Sequence, residues 1–236
     1  MKIRKNTKYI VLSLLILTVI CVILLVVYNN NITKISAMEE LPNYTEIKGN
    51  YDVKELKYEK QPHLGNRDAK VNVIEYADFK CPACKKWKDA NWERFKNEFI
   101  DTGKVQLFFI NYAFIDRDSI LAASAGEAIA KQDNSKFWEY YEKLYDHQGD
   151  ETKIWATQDF ILDFVKSNIN NIDYALFEKD LKEHKYMLDV KEDYKTAGHY
   201  GVNGTPQFMV NGVLLPDSSY EALATAIENQ LSGTSF

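Results

Sequence analysis

The chain has 236 residues, a formal net charge of −5 and three cysteines. Mild acidity argues against nucleic acid as the main partner, and three cysteines are too few for a disulfide-stapled secreted scaffold. The length suits one core that carries an insertion.

Residues 1–8 form a basic tail with Lys2, Arg4, Lys5 and Lys8, and residues 9–28 are an uncharged apolar run. At ~1.5 Å rise per residue a helix over that run crosses the ~30 Å hydrocarbon layer. The basic flank stays cytoplasmic, so the rest of the chain is expected outside the membrane. The run is longer than a signal-peptide core, and Ile35-Ser36-Ala37 is a weak cleavage site, so an uncleaved signal anchor is expected. Cys21 lies mid-span and reads as a small apolar residue of the membrane helix.

Residues 29–50 are polar and aperiodic and read as a linker. Tyr51 to Tyr58 alternates loosely, as an edge strand would, and Pro62 and Gly65 then make a turn. Val71, Val73, Ile74 and Tyr76 make a buried strand. It leads into Cys81-Pro82-Ala83-Cys84, which opens a helix running to about Glu98 with Pro82 in its first turn. Trp87, Trp92, Phe95 and Phe99 mark the buried side of that helix.

Two cysteines at a helix N-terminus sit where the macrodipole and free N–H groups favour a thiolate. The pair therefore reads as a redox site. Zinc is the competing reading, but it needs about four ligands, and His63, His147, His184 and His199 show no ligand spacing.

Asp101-Thr102-Gly103 stops the helix, and Val105 to Tyr112 is strongly strand-like. Strand, helix and strand make a βαβ unit with neighbouring parallel strands. From Ser119 the pattern turns helical for some eighty residues, with Phe137, Tyr140, Tyr141 and Leu144 as one apolar stripe. Strand character returns in the stretch from Gly201 to Leu215, where Pro206 stands directly before a strand and Asn211-Gly212 is a hairpin signal. A last helix from about Ser218 stacks Leu223, Ile227 and Leu231 on one face.

The Cys81-Pro82-Ala83-Cys84 helix after a strand, the helical block, and Gly204-Thr205-Pro206 entering a hairpin together resemble the thioredoxin superfamily. With the helical block between its halves, the chain resembles the DsbA-like thiol-disulfide oxidoreductases, in particular the membrane-anchored BdbD type of Gram-positive bacteria. The resemblance implies an α/β, thioredoxin-like fold at 51–116 and 200–236, a helical insertion at 117–199, and a transmembrane helix ahead of them.

It also implies roles. Cys81 is the attacked sulfur and Cys84 the buried resolving thiol. Glu75, six residues before Cys81, is a buried acid that exchanges protons with Cys84. Read without the resemblance, the alternative for Glu75 is a solvent-facing position on an edge strand. Pro206 is expected to be cis against the disulfide, and the Thr205 backbone to bond an extended substrate segment with its side chain beside the sulfurs. Strongly oxidising relatives carry histidine where this chain has Ala83, so the helix terminus and Lys80 are left to stabilise the thiolate. No cofactor is required for the chemistry. Gln61 and Asp193 are placed like the calcium ligands of some Gram-positive relatives.

The function implied is an extracytoplasmic, single-pass membrane oxidoreductase that introduces disulfides into exported proteins and is reoxidised by a DsbB-like, quinone-linked membrane protein. A reductase or isomerase of the same compartment is the nearest alternative, and a non-redox peptide-binding module is another.

Overall fold

A computed structural model describes residues 3–39 and 41–233, in two units divided at residue 40. The first unit is a single helix, α1 (Ile3–Glu39), in which Tyr9–Asn29 is long and apolar enough to cross a membrane. Its side chains from Tyr9 to Tyr28 are exposed. The linker expected over 29–50 is corrected at both ends. The helix runs on to Glu39 because no proline interrupts it before Pro42, whose ring disfavours helix at the preceding residue. Leu41 and Pro42 are buried in the second unit, where Tyr44 donates to the Ala113 carbonyl at 2.9 Å and stacks on Tyr194.

Among the described residues the second unit holds five strands, β1 (His63–Gly65), β2 (Val71–Ala77), β3 (Val105–Asn111), β4 (Gln207–Val210) and β5 (Val213–Leu214), in the order β1-β3-β2-β4-β5. β2 and β3 are parallel, as a βαβ unit requires, and the other pairings are antiparallel. The expected edge strand at Tyr51–Tyr58 is absent, and β1 takes the edge instead. The Glu192 carboxylate binds the Asp52 N–H and the Lys57 ammonium, and Lys57 turns left-handed at φ 46°, which ends any extended run. Leu56 and Tyr58 pack under the sheet rather than beside it.

α2 (Pro82–Phe95) connects β2 to β3. α3 (Arg117–Gln132), α4 (Asn134–Asp146), α5 (Gln158–Asn168), α6 (Tyr174–Lys182) and α7 (Met187–His199) follow β3 without an intervening strand, and α8 (Tyr220–Ser232) is the last described helix. Side-chain oxygens of Asp133, Thr157, Asp173 and Ser219 cap four of these helices by accepting first-turn N–H groups. Asn211 and Gly212 both adopt positive φ, 46° and 85°, as a two-residue hairpin turn needs.

Strand side chains alternate between two faces. Val71, Val73, Phe109, Phe208 and Val210 face the large core with α2, α4 and α8. Ile74, Tyr76, Phe108, Ile110 and Met209 face a smaller cluster that includes Ala197 of α7. Glu75 keeps the register of Val73 and so points into the large core. That register puts an acid under α2.

Candidate redox site

β2 ends at Ala77, and the turn after it is tied down from below. The Asp78 carboxylate accepts the N–H groups of Lys80, Phe114 and Ile115 at 2.8, 2.9 and 3.1 Å. Burial raises its pKa while these bonds counter the rise. The Asp78 carbonyl accepts the Cys81 N–H at 2.9 Å. Cys81 then takes the extended N-cap conformation of α2, with Pro82 directly after it. The helix terminus is thereby aimed at the Cys81 sulfur.

Cys81 and Cys84 are both free thiols of the large core, Cys84 more deeply buried. The Cys84 thiol, hydrogen-bonded to Cys81, is the largest influence drawing the Cys81 thiol down to about 6. The Thr205 hydroxyl and the backbone N–H groups of Cys84 and Ala83 act in the same direction, against burial. Burial, and then the Cys81 sulfur itself, push the Cys84 thiol well above the ordinary range. One sulfur is set up to ionise near neutral pH and the other to stay protonated.

The Thr205–Pro206 bond is cis, and the loop it forms faces the dithiol. The Cys81 thiol donates to the Thr205 carbonyl at 3.4 Å. The Thr205 hydroxyl is buried without a hydrogen-bond partner of its own, which leaves its proton for a Cys81 thiolate. The structure thus brings Cys81, Cys84, Thr205 and Pro206 together.

Glu75 is 1% exposed, between Phe109 and Phe208 on the neighbouring strands. The solvent-facing alternative is thereby removed. Desolvation pushes its carboxyl up to about 8, and the Tyr141 hydroxyl, 3.2 Å from each oxygen, moderates the rise. A buried acid of this kind can give or take a proton near neutral pH.

Lys80 does not serve the thiolate as expected. Its ammonium is buried 2.6 Å from the Asp118 carboxylate and donates to the Lys153 carbonyl at 2.9 Å. Asp118 also accepts the Trp155 and Ala156 N–H groups. The charge is spent on joining the turn to the segment between α4 and α5, not on Cys81.

Two contributors were invisible in the sequence. Gln148 donates to the Phe79 carbonyl at 2.8 Å and to the Cys81 carbonyl at 3.1 Å. Tyr141 reaches Glu75 from α4. Neither lies in a motif, and the apolar stripe on α4 marks Tyr141 only as core.

Gln61 and Asp193 meet elsewhere, 3.0 Å apart. Asp193 accepts the backbone and side-chain N–H groups of Asn111 at 3.1 and 3.0 Å, and Asn111 also donates to Glu127 at 2.9 Å. Burial raises the pKa of both Glu127 and Asp193. The Asn111 side-chain oxygen is buried without a partner. Among the described residues, no group of three or more His, Cys, Asp or Glu side chains could hold a metal ion.

The thioredoxin family model matches residues 57–229. The chain is 44% identical over 175 residues to the probable disulfide bond formation protein D of Bacillus anthracis, covering 74% of this chain and 80% of that one. It is 32% identical over 174 residues to disulfide bond formation protein D of Bacillus subtilis, covering 73% and 78%. The oxidised crystal structure of BdbD from Bacillus subtilis superposes with a TM-score of 0.70 at 31% identity, over 75% of this chain and 96% of that one. Chlamydia trachomatis DsbA has the same fold, with a TM-score of 0.69 at 19% identity over 80% of this chain and 100% of that one. The chain belongs to the thioredoxin family, in its BdbD-like branch, and is a protein thiol-disulfide oxidoreductase.

Proposed function

We propose that this thioredoxin-family oxidoreductase is a membrane-anchored, extracytoplasmic oxidase that introduces disulfides into exported proteins. The observation that carries the reading is the split between the thiols, Cys81 drawn down to about 6 and Cys84 pushed up. A stabilised Cys81 thiolate is a good leaving group and favours the reduced enzyme, so the oxidised form accepts electrons readily. The apolar Tyr9–Asn29 helix behind a basic tail supports an anchor with the redox unit outside.

In the forward reaction a substrate thiolate attacks Cys81 of the Cys81–Cys84 disulfide. The new bond joins substrate and Cys81, and Cys84 leaves as a thiolate that takes a proton from Glu75. A second substrate thiolate then attacks the substrate sulfur of the mixed disulfide and releases Cys81 as a thiolate. The substrate leaves oxidised and the enzyme holds the two electrons. Thr205 and Pro206 line the approach and present main-chain groups to an extended segment, which suits broad peptide specificity. Reoxidation falls to a quinone-linked membrane protein resembling DsbB.

The test is refolding of reduced ribonuclease beside insulin reduction, with Cys81→Ala as control. Catalysed ribonuclease refolding that is lost in Cys81→Ala is the expected result. Activity unchanged in Cys81→Ala overturns the reading, and insulin reduction without ribonuclease oxidation turns it into a reductase.

The Gln61–Asp193 cluster is read as a structural calcium site outside the chemistry. Buried carboxylates and a partnerless amide oxygen at Asn111 are hard donors of the kind calcium takes, with water completing its ~6–8 oxygens. Gln61 and Asp193 would hold the ion, with Glu127 beside them.

A further inference from the structure

Among the described residues, no cation acts on the Glu75 carboxyl. Burial and the Tyr141 hydroxyl act on that carboxyl, and Glu75 in turn acts on Tyr141 and Tyr145 of α4, Tyr141 together with Cys84 and Glu142, Tyr145 together with Cys84 and Asp78. Its strand neighbours Phe109 and Phe208 are apolar. A carboxylate formed there depends on whatever donates to it, and the hydroxyl that does so is Tyr141, at 3.2 Å from both oxygens. That hydroxyl is fully buried, and burial with Glu75 and Cys84 nearby raises its own pKa far beyond the physiological range, so it remains a donor throughout.

We propose that Tyr141 is a positioning residue for the proton step at Cys84: its hydroxyl holds the Glu75 carboxyl with both oxygens engaged and stabilises the carboxylate left after Glu75 protonates Cys84. The inference rests on the reading of Glu75 as the proton partner of Cys84. When substrate attack breaks the Cys81–Cys84 bond, the electron pair stays on the Cys84 sulfur and the proton moves from the Glu75 carboxyl. The charge moves from sulfur to carboxylate, and Tyr141 meets it there. In reoxidation the same proton travels back from the Cys84 thiol to Glu75. Hydrogen bonds to a charged acceptor are worth more than those to a neutral one, so Tyr141 favours the carboxylate and makes Glu75 the stronger acid.

The ring of Tyr141 packs among Trp92, Phe109, Trp138 and Tyr145, with centroids 5.0–5.7 Å away. Tyr141→Phe keeps those contacts and removes only the hydroxyl. The experiment follows the carboxyl ¹³C resonance of Glu75 with pH, assigned by Glu75→Gln, and the pH profile of single-turnover reduction of the oxidised full-length protein by glutathione. In Tyr141→Phe the Glu75 titration is expected to move up by about one unit, as loss of one hydrogen bond to a charge implies. The alkaline limb of the reduction rate moves with it, and Tyr141→Phe/Glu75→Gln matches Glu75→Gln alone.

An unmoved Glu75 titration, or a moved titration with an unmoved limb, overturns the role of Tyr141. If Glu75→Gln itself leaves the pH profile intact, the reading of Glu75 fails first, which is a separate outcome. Should Tyr141→Phe not fold, Tyr141→(4-fluoro-Phe) gives the second variant, with the same expected shift and the same contradicting result.

Discussion

The Lys80 ammonium and the Asp118 carboxylate lie 2.6 Å apart with no solvent exposure on either side chain. Together with the Lys153, Trp155 and Ala156 backbone groups they bind, they clamp the segment between α4 and α5 to the redox turn. Removing one partner leaves a buried, uncompensated charge, which costs about 3–5 kcal/mol. Lys80→Met should lower unfolding stability by that order in urea titrations. Lys80→Met/Asp118→Asn, which removes both charges of the neutral pair together, should leave the Cys81 thiolate titration of the folded protein in place.

Cys81 should titrate near 6, so at pH 7 about nine-tenths of it is thiolate. Iodoacetamide alkylation followed with pH measures this, with Cys81 modified well ahead of Cys84. In Cys84→Ala the strongest stabilising bond is gone, and the midpoint should move up towards the ordinary thiol value. A midpoint that stays put would assign the stabilisation to the helix terminus and the Thr205 hydroxyl.

Glu75 makes stability depend on pH. The unfolded chain releases this proton above its ordinary value of 4.5, while the folded chain keeps it up to about 8. Between those values the unfolded state binds fewer protons, so stability falls as pH rises. Glu75→Gln should remove that fall, a difference on the order of a few kcal/mol between pH 5 and pH 8. Glu127 and Asp193 slope the same way and cancel in the comparison of mutant with parent. Equal slopes in the two proteins would mean that Glu75 is ionised in the fold.

Calcium at the Gln61–Asp193 cluster needs ionised carboxylates, and burial holds Glu127 and Asp193 in the protonated form at higher pH than usual. Binding should therefore release protons and strengthen as pH rises. Added calcium should raise the melting temperature over that in chelator, more at pH 8 than at pH 6, and Asp193→Asn should abolish the gain. No change in melting temperature in the parent protein would remove the site.

Gly65 guards the sheet edge. It sits at φ +98°, and a Cβ there would lie 2.4 Å from the Val105 carbonyl oxygen. Gly65→Ala should destabilise the fold by at least about 1 kcal/mol in thermal unfolding, since strained φ and a backbone clash act together.

Local pattern was readable where it alone decides the outcome. The strand at Val71–Ala77, the helix opened by Pro82 and the Asn211-Gly212 hairpin are set by residues within a few positions of one another. Glu75 was legible because an acid in an apolar strand must be neutral or paired. Lys80 was misread because its partner Asp118 lies 38 positions away, and sequence distance says nothing of a buried pair. Tyr141 and Gln148 were missed for the same reason, each meeting the redox turn or its strand only through α4 and the segment after it. The edge strand went wrong because loose alternation at Tyr51–Tyr58 fits packing beneath a sheet as well as pairing beside one.

The reduction potential of Cys81–Cys84, from equilibrium with glutathione at pH 7, tests the oxidase reading most directly. A protein whose reduced form is held by a stabilised Cys81 thiolate should lie at or above about −180 mV. A value near −270 mV, where reducing thioredoxins lie, would contradict it.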